Sequence, residues 1–69
     1  MRIEFDKEAD VAYIYIQQEI GEGEVARTIE VNESIILDFD ASGKLMGIEI
    51  LNAKKNLTKD ILNSIVQSK

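Results

Sequence analysis

The sequence contains no histidine, cysteine, tryptophan or proline among its 69 residues. Without cysteine, neither a disulfide framework nor a thiolate metal site can stabilise the chain. The absence of histidine and cysteine also removes the commonest general base, the commonest nucleophile with its base, and most transition-metal sites. Any catalysis would therefore rest on carboxylates, and stability must come from apolar packing, a bound partner or self-association.

The sequence also lacks a long apolar run. No stretch reaches the length that a membrane span needs, and Met1-Arg2-Ile3-Glu4 lacks the charged-then-apolar layout of a secretory signal. We therefore expect a cytoplasmic protein with no membrane association. Hydrophobic residues make up 45% of the chain, as in ordinary globular proteins, and the length suits one domain over residues 1–69 with a small core.

Basic residues are few in most of the chain. Residues 1–51 carry 4 basic and 12 acidic side chains, whereas residues 52–69 carry 4 basic and 1 acidic. The body is therefore at −8 and the tail at +3. A phosphate-binding protein would need a basic face, so this distribution argues against direct binding of nucleic acid. It favours a soluble protein with an acidic surface.

Alternating and β-branched segments predict a sheet over residues 1–51. Strands are expected near 3–5, 11–16, 25–31, 35–39 and 45–51, with turns at 6–10, 17–24, 32–34 and 40–43. In the second strand, Val11, Tyr13 and Tyr15 would point to one face and the residues between them to the other. The pattern indicates a run of antiparallel hairpins, or a meander, of four to five strands.

The hydrophobic period then changes to that of a helix. Apolar residues recur at helical spacing at Leu57, Ile61, Leu62, Ile65 and Val66. Thr58 is placed to cap the N-terminus of this helix, and Leu57 and Leu62 are placed to form a hydrophobic staple across it. The sequence therefore predicts an α+β fold: a small antiparallel β-sheet packed by one C-terminal amphipathic helix over residues 57–68.

One helix can cover only one face of such a sheet. The second strand is nonetheless apolar on both faces, and the fourth places Ile36 opposite to Ile35, Leu37 and Phe39. We therefore expect uncovered apolar surface, and with it a homodimer or a small protein partner across the second face. The competing interpretation is that the apolar ends of this short chain curl around a small core.

Residues 38–49, DFDASGKLMGIE, match the written pattern of a calcium-binding EF-hand loop. The matching positions are Asp38, Asp40, Ser42, Gly43 and Glu49. An EF-hand loop lies between helices, whereas both flanks here are typical of strands. A hairpin with Asp38 opposite Met46 would place Glu49 on the other face, roughly 10 Å away at the rise of a strand, and a register shifted by one would bring both carboxylates to the same face but leave them further apart. Turn chemistry explains the match better, because Asp and Ser bond the local backbone and Gly accepts positive φ.

Carboxylates leave one alternative function open. A metal-dependent carboxylate enzyme, or a calcium-binding protein, would use Asp38, Asp40 and Glu49 as ligands. We predict no cofactor and no catalytic residue, because acids at turn edges are usually solvated surface. Glu49 is unusual, since it lies inside an apolar strand, where its charge must reach water, pair with a cation such as Arg27, or serve a function.

Tyr13 and Tyr15 project together from one face of the second strand. Paired aromatic residues on a strand can stack single-stranded bases, as in sheet-based RNA readers. These two have no basic neighbours in the sequence. Packing in the core or in an interface is therefore the favoured interpretation.

Three segments carry a family resemblance. They are FDKEADVAYI (5–14), ILDFD (36–40) and GKLMGIEILNA (43–53). Together they resemble the small bacterial and archaeal proteins grouped as domain of unknown function 2283, over about three quarters of the chain. The family pattern is an aromatic residue followed by D-x-E-A-D and an apolar-aromatic strand, an acidic turn with Gly, and then G-I-E-I-L. The sequence departs from it at Ala12, where a larger aliphatic is usual, and at Phe39, where tyrosine is more common.

The resemblance implies a small sheet with a C-terminal helix and no activity, because none is assigned to the family. Its members are similar in size to antitoxins and often neighbour small toxin-like proteins, which implies an acidic, antitoxin-like partner of a small basic protein. The hypothesis is thus a non-enzymatic protein-interaction module. The positions that the resemblance singles out are Asp6, Glu8, Asp10, Tyr13, Asp38, Gly43, Gly47 and Glu49.

Overall fold

The segments predicted as strands form a single five-stranded antiparallel sheet, accompanied by two short helices. The structure is a computed structural model, and it describes residues 1–65. In chain order the elements are β1 (Arg2–Asp6), β2 (Val11–Tyr15), β3 (Arg27–Glu30), β4 (Ile35–Phe39), β5 (Leu45–Leu51), α1 (Ala53–Asn56) and α2 (Lys59–Ser64). This architecture confirms the predicted α+β class.

The strands are arranged in the order β1-β2-β5-β4-β3. Three of the four successive strand pairs are antiparallel hairpins, and the exception is β2 and β3, which do not pair. Instead β5 lies between β2 and β4, where Ile48 is opposite both Ile14 and Leu37. The strand β5 therefore pairs on both of its edges, and its apolar side chains pack against the side chains opposite them on β2 and β4.

Each sheet face has its own chemistry, because successive side chains of a strand point to opposite sides. The helix face carries mainly apolar residues: Ile3, Phe5, Ala12, Ile14, Ile29, Ile35, Leu37, Ile48 and Ile50. The other face, called the tyrosine face below, is mixed. It consists of Arg2, Glu4, Asp6, Val11, Tyr13, Tyr15, Thr28, Glu30, Ile36, Asp38, Gly47, Glu49 and Leu51.

The core lies between the helices and the β1, β2 and β5 part of the helix face. Its buried residues are Phe5, Ala12, Ile50, Ala53 and Ile65, with Ile3, Ile14, Ile48, Leu57 and Leu62 packed against them. Burial of each of the larger side chains stabilises the fold by about 1.5 to 3 kcal/mol. Among residues 1–65, no helix is both long enough and apolar enough to cross a membrane.

The helical region differs from the single predicted helix. Thr58 does cap α2, since its side chain accepts a hydrogen bond from the Ile61 N–H at 3.4 Å. However, Leu57 is extended, so α1 and α2 are separate, and α2 ends at Ser64 with Ile65 extended and buried. The remainder of the predicted helix, 66–68 with Val66, lies outside the described residues.

Part of the helix face has no helix above it. All four residues of β3 are exposed. Ile29 on this strand is 37% exposed, and Val31, which directly follows the strand, is 57% exposed. The uncovered apolar surface therefore lies beside the helices, over β3. We expected this surface on the second face, but that face is mixed and its apolar side chains are half-buried, whereas the short helices pack on β1, β2 and β5 and leave β3 uncovered.

Candidate functional site

The central feature of the tyrosine face is a hydrogen bond that spans three strands. Tyr13 on β2 donates its hydroxyl to Oδ2 of Asp38 on β4 at 2.7 Å, and its ring crosses Gly47 on β5. A Cβ atom at position 47 would collide with the hydroxyl oxygen of Tyr13 and would lie 2.6 Å from Cζ of the Tyr13 ring. Gly47 thus leaves the space that the tyrosine ring fills.

Asp38 joins a third element to this arrangement. Its Oδ1 accepts a hydrogen bond from the Thr28 hydroxyl on β3 at 3.0 Å. Burial, and then the hydrogen bond to Asp38, raises the pKa of Tyr13. The Tyr13 hydroxyl therefore stays protonated at neutral pH and acts as a donor, not as a base or nucleophile.

A second tyrosine cluster lies directly beside the first. The rings of Tyr13 and Tyr15 meet edge to face with centroids 4.7 Å apart. The Tyr15 hydroxyl donates to Oε1 of Glu4 at 3.3 Å, and Arg2 donates to Oε2 of Glu4 at 2.9 Å. The Arg2 guanidinium carbon also lies 3.9 Å from the centroid of the Tyr15 ring. The face therefore holds a guanidinium between an aromatic ring and a carboxylate. Burial, followed by the charge of Glu4, raises the pKa of Tyr15.

Glu49 lies at the centre of the tyrosine face. It is half-buried and is opposite Tyr13 on one side and Ile36 on the other. Within residues 1–65 the structure shows one ion pair, Arg2–Glu4, so the suggested pairing of Glu49 with Arg27 does not form. Arg27 lies on β3 opposite Phe39, and by alternation it belongs to the helix face.

The register of the β4–β5 hairpin corrects one prediction. Asp38 lies opposite Gly47 and not Met46, because the pairing shifts between Asp38 and Phe39 and leaves Met46 as an extra residue. Glu49 is therefore on the same face as Asp38, as its diagonal neighbour, a relationship that separates residues by about 7 to 8 Å. The prediction that Glu49 lies on the opposite face was wrong.

Asp40 does not join Asp38 and Glu49. Its Oδ1 accepts hydrogen bonds from the backbone N–H of Ser42 and Lys44, both at 2.9 Å, and from the Ser42 hydroxyl at 2.8 Å. The Lys44 N–H, followed by the Ser42 hydroxyl, lowers the pKa of Asp40. Gly43 completes this turn with φ of 87°. In the described part of the chain, no group of three or more acidic side chains is arranged to hold a metal ion.

The remaining motif positions, Asp6, Glu8 and Asp10, lie at the turn between β1 and β2. Asp6 accepts hydrogen bonds from the N–H groups of Glu8 and Ala9 at 3.1 and 3.2 Å, and Glu8 itself is exposed. Asp10 has a φ of 58° and connects the turn to α1. Its carbonyl accepts from the Ala53 N–H at 2.9 Å, and its side chain accepts from the Lys54 N–H at 3.1 Å.

Of the positions singled out from the sequence, the structure brings together Tyr13, Asp38, Gly47 and Glu49. Sequence reasoning missed four further polar members of the face: Arg2, Glu4, Thr28 and Glu30. Arg2 and Glu4 alternate with Ile3 and Phe5, so the period of a strand could have placed them there. Thr28 carried no such signal, because its contact with Asp38 depends on the register between β3 and β4.

The fold and this face together define a class of small α+β proteins in which short helices cover part of one sheet face and leave an aromatic, acidic face open. The chain belongs to the family described as protein of unknown function (DUF2283), whose model matches residues 2–54. The match includes every residue of the tyrosine face. It confirms the resemblance drawn from the sequence motifs.

A similar protein is Uncharacterized protein MJ0789 of Methanocaldococcus jannaschii. It is 34% identical over 70 residues, which cover 97% of this chain and 56% of that protein. The chain therefore spans little more than half the length of this relative. No solved structure matches the chain.

Proposed function

We propose that the chain is a non-enzymatic protein-interaction module whose tyrosine face binds a basic segment of a partner protein. The charge balance of the face supports this proposal. Its ionisable groups besides the tyrosines are five carboxylates, on Glu4, Asp6, Glu30, Asp38 and Glu49, and one guanidinium, on Arg2. Such a surface attracts cationic partners and repels nucleic acid.

The observation that carries the proposal is the position of Arg2. Its guanidinium lies over the Tyr15 ring and pairs with Glu4, which is the geometry that cation–π and charge-assisted hydrogen bonds favour. The neighbouring half of the face offers the same kinds of group, the Tyr13 ring with the Glu49 carboxylate opposite it. No described residue supplies a cation to that half. An arginine or lysine side chain of a partner fits there.

The state of the polar groups supports binding without catalysis. The raised pKa values of both tyrosines keep their hydroxyls protonated, and both oxygens of Asp38 already accept hydrogen bonds. A general base or nucleophile would need a free, suitably tuned group. The proposal therefore agrees with an acidic, antitoxin-like role in the cytoplasm, with a small basic protein as the partner.

We also propose that the module is a homodimer. Ile29 and Val31 leave apolar surface exposed beside β3, and Leu45 is 37% exposed at the start of β5. Exposed apolar surface of this kind often marks a protein interface. A chain of this size also gains stability by burying such surface against a second copy.

Tyrosine fluorescence tests binding at the proposed face directly. The chain has no tryptophan, and both tyrosines lie on this face, so emission reports on it alone. A short peptide of alternating arginine and serine should change the emission saturably, and Glu49→Gln should weaken binding several-fold. Glu22→Gln removes an equal charge from an exposed loop and should bind as the parent does. Equal weakening by both variants would show a net-charge effect and refute the proposed site.

A further inference from the structure

The β3 edge of the sheet is open to a further strand. We infer that two copies of this chain pair through antiparallel β3 strands about a two-fold axis at Ile29, joining two five-stranded sheets into one. This interface specifies the self-association proposed above and rests on it.

The unpaired backbone groups of β3 can be assigned from its hydrogen bonds to β4. The Val31 N–H donates to the Ile35 carbonyl at 2.8 Å, so Val31 faces β4. Backbone groups alternate in direction along an antiparallel strand, so Arg27 and Ile29 also face β4. The N–H and C=O groups of Thr28 and Glu30 therefore point away from the sheet, where an added strand would bond them.

These groups allow a two-fold axis at Thr28 or at Ile29. The axis at Ile29 is favoured because an axis at Thr28 would need the Ala26 N–H, which already donates to the Phe39 carbonyl at 2.8 Å. A two-fold axis at Ile29 pairs residues that lie equally far from Ile29 on either side, so Thr28 pairs with Glu30 of the partner subunit. In a continuous sheet these opposite residues also share a face. Each such pair exchanges two backbone hydrogen bonds, and Ile29 faces its own copy as a non-hydrogen-bonded pair with Cα atoms about 4.5 Å apart. An axis at Arg27 or at Glu30 would instead place like charges opposite each other, which destabilises a sheet.

The charges of β3 complement an antiparallel copy. Arg27 is at the N-terminal end of the strand, and Glu30 and Glu33 lie at and beyond the C-terminal end. Arg27 is exposed and forms no ion pair within residues 1–65. Antiparallel pairing brings the Arg27 end of each strand near the glutamate end of the other, with Arg27 on the helix face and Glu30 on the tyrosine face, so these ends attract without forming a direct ion pair. A parallel arrangement would bring equal charges together.

The opposite edge of the sheet lacks these features. On β1 the side chains of Ile3 and Phe5 already pack in the core, and Arg2 is engaged by Glu4. On β3, in contrast, Ile29 and Val31 are exposed and would be covered by the second copy. Pairing at β3 therefore buries apolar surface that β1 does not offer. It also places both tyrosine faces on the same side of the joined sheet.

Site-directed crosslinking tests the register. Because the chain has no cysteine, Ile29→Cys gives one thiol per copy. A Cα separation of about 4.5 Å falls within the range for disulfides, so oxidation should yield a covalent dimer. Ile61→Cys is the matched control, since Ile61 on α2 is 38% exposed against 37% for Ile29. It should remain uncrosslinked. Equal crosslinking of both variants would overturn the interface.

Light scattering of the folded proteins gives an independent result. The parent and Ile61→Lys should have the mass of a dimer, and Ile29→Lys, folded by circular dichroism, that of a monomer. A monomeric parent would overturn self-association altogether. A dimer that survives Ile29→Lys would overturn the β3 interface and leave self-association standing.

Discussion

The ring of Tyr13 occupies the space that a side chain at Gly47 would fill, so these two residues on neighbouring strands depend on each other. Gly47 leaves a gap on β5, and Tyr13 crosses that gap to reach Asp38 on β4. A glycine within a central strand usually weakens it. Here the glycine allows a tyrosine to connect the strands on either side, and the tyrosine covers the glycine backbone.

Gly47→Ala should destabilise the fold by about 1 to 3 kcal/mol, the usual range for forcing an extra group into a packed site. The added methyl group would displace Tyr13 from Asp38. Urea unfolding measures the loss. Gly21→Ala is the control, because its nearest neighbour would be the flexible Glu24 side chain at 3.7 Å, an ordinary contact. A loss of equal size in the control would remove the explanation.

A double-mutant cycle checks the same relationship from the other side. In a Tyr13→Ala background the ring is absent, so adding Gly47→Ala should cost much less than it does in the parent. Residues in contact typically show such non-additivity. Additive losses of unfolding free energy would mean that Tyr13 and Gly47 act independently.

Tyr13→Phe should lower the free energy of unfolding by about 1 kcal/mol, because Asp38 loses a charge-assisted hydrogen bond of 2.7 Å. Asp38 retains its bond from Thr28, which limits the loss. Tyr15→Phe removes a longer bond, of 3.3 Å, to Glu4 and should have a smaller effect. The reverse order, measured by chemical denaturation, would contradict the assigned roles.

Much of the fold follows from sequence periodicity. The five strands, the turn at Asp40 to Gly43 and the Thr58 cap were all predicted, because each depends on local chemistry. The order of the strands was not, since β5 inserts between β2 and β4 through pairing between distant segments. Helix α1 lies before the predicted helix and was not predicted, and its first turn is joined to the distant β1–β2 turn by the hydrogen bond from the Lys54 N–H to Asp10.

The candidate site could likewise be predicted from the sequence only in part. Tyr13, Asp38, Gly47 and Glu49 were each singled out from the sequence, but their convergence was not foreseen. The reason is the bulge at Met46, which adds one residue to β5 and moves Glu49 to the face of Asp38. A shift of one residue exchanges the two faces of a strand, so a register inferred from turn type alone assigned Glu49 to the wrong face.

Stability should fall as the pH rises above about 10, the usual pKa of tyrosine. Both tyrosines have raised pKa values in the folded state, so the unfolded chain loses its tyrosine protons first. Their stabilisation is complete below the unfolded pKa and is lost as the pH rises through the folded values. Urea midpoints across this range measure it, and Tyr13→Phe should flatten the decline. Tyrosinate absorbance that appears at about pH 10 in the folded protein, as it does for an unperturbed tyrosine, would contradict the prediction.

Calcium at millimolar concentration should leave the melting temperature unchanged. Asp40 is hydrogen-bonded within its own turn, and Asp38 bonds Tyr13 and Thr28, so the oxygens that calcium needs do not converge. A bound ion at a hundred times its dissociation constant would add about 2.7 kcal/mol of stability. Differential scanning calorimetry with and without calcium decides between these results.

The most direct test of the proposed function is affinity purification from cells of the organism that makes this protein. Three tagged forms serve as bait: the parent, Glu49→Gln, and the control Glu22→Gln. The tyrosine face should retain a small basic protein with the parent and the control, and lose it with Glu49→Gln. Retention of the same protein by all three forms, or of no basic protein by the parent, would contradict the assignment of this face as a protein-binding site.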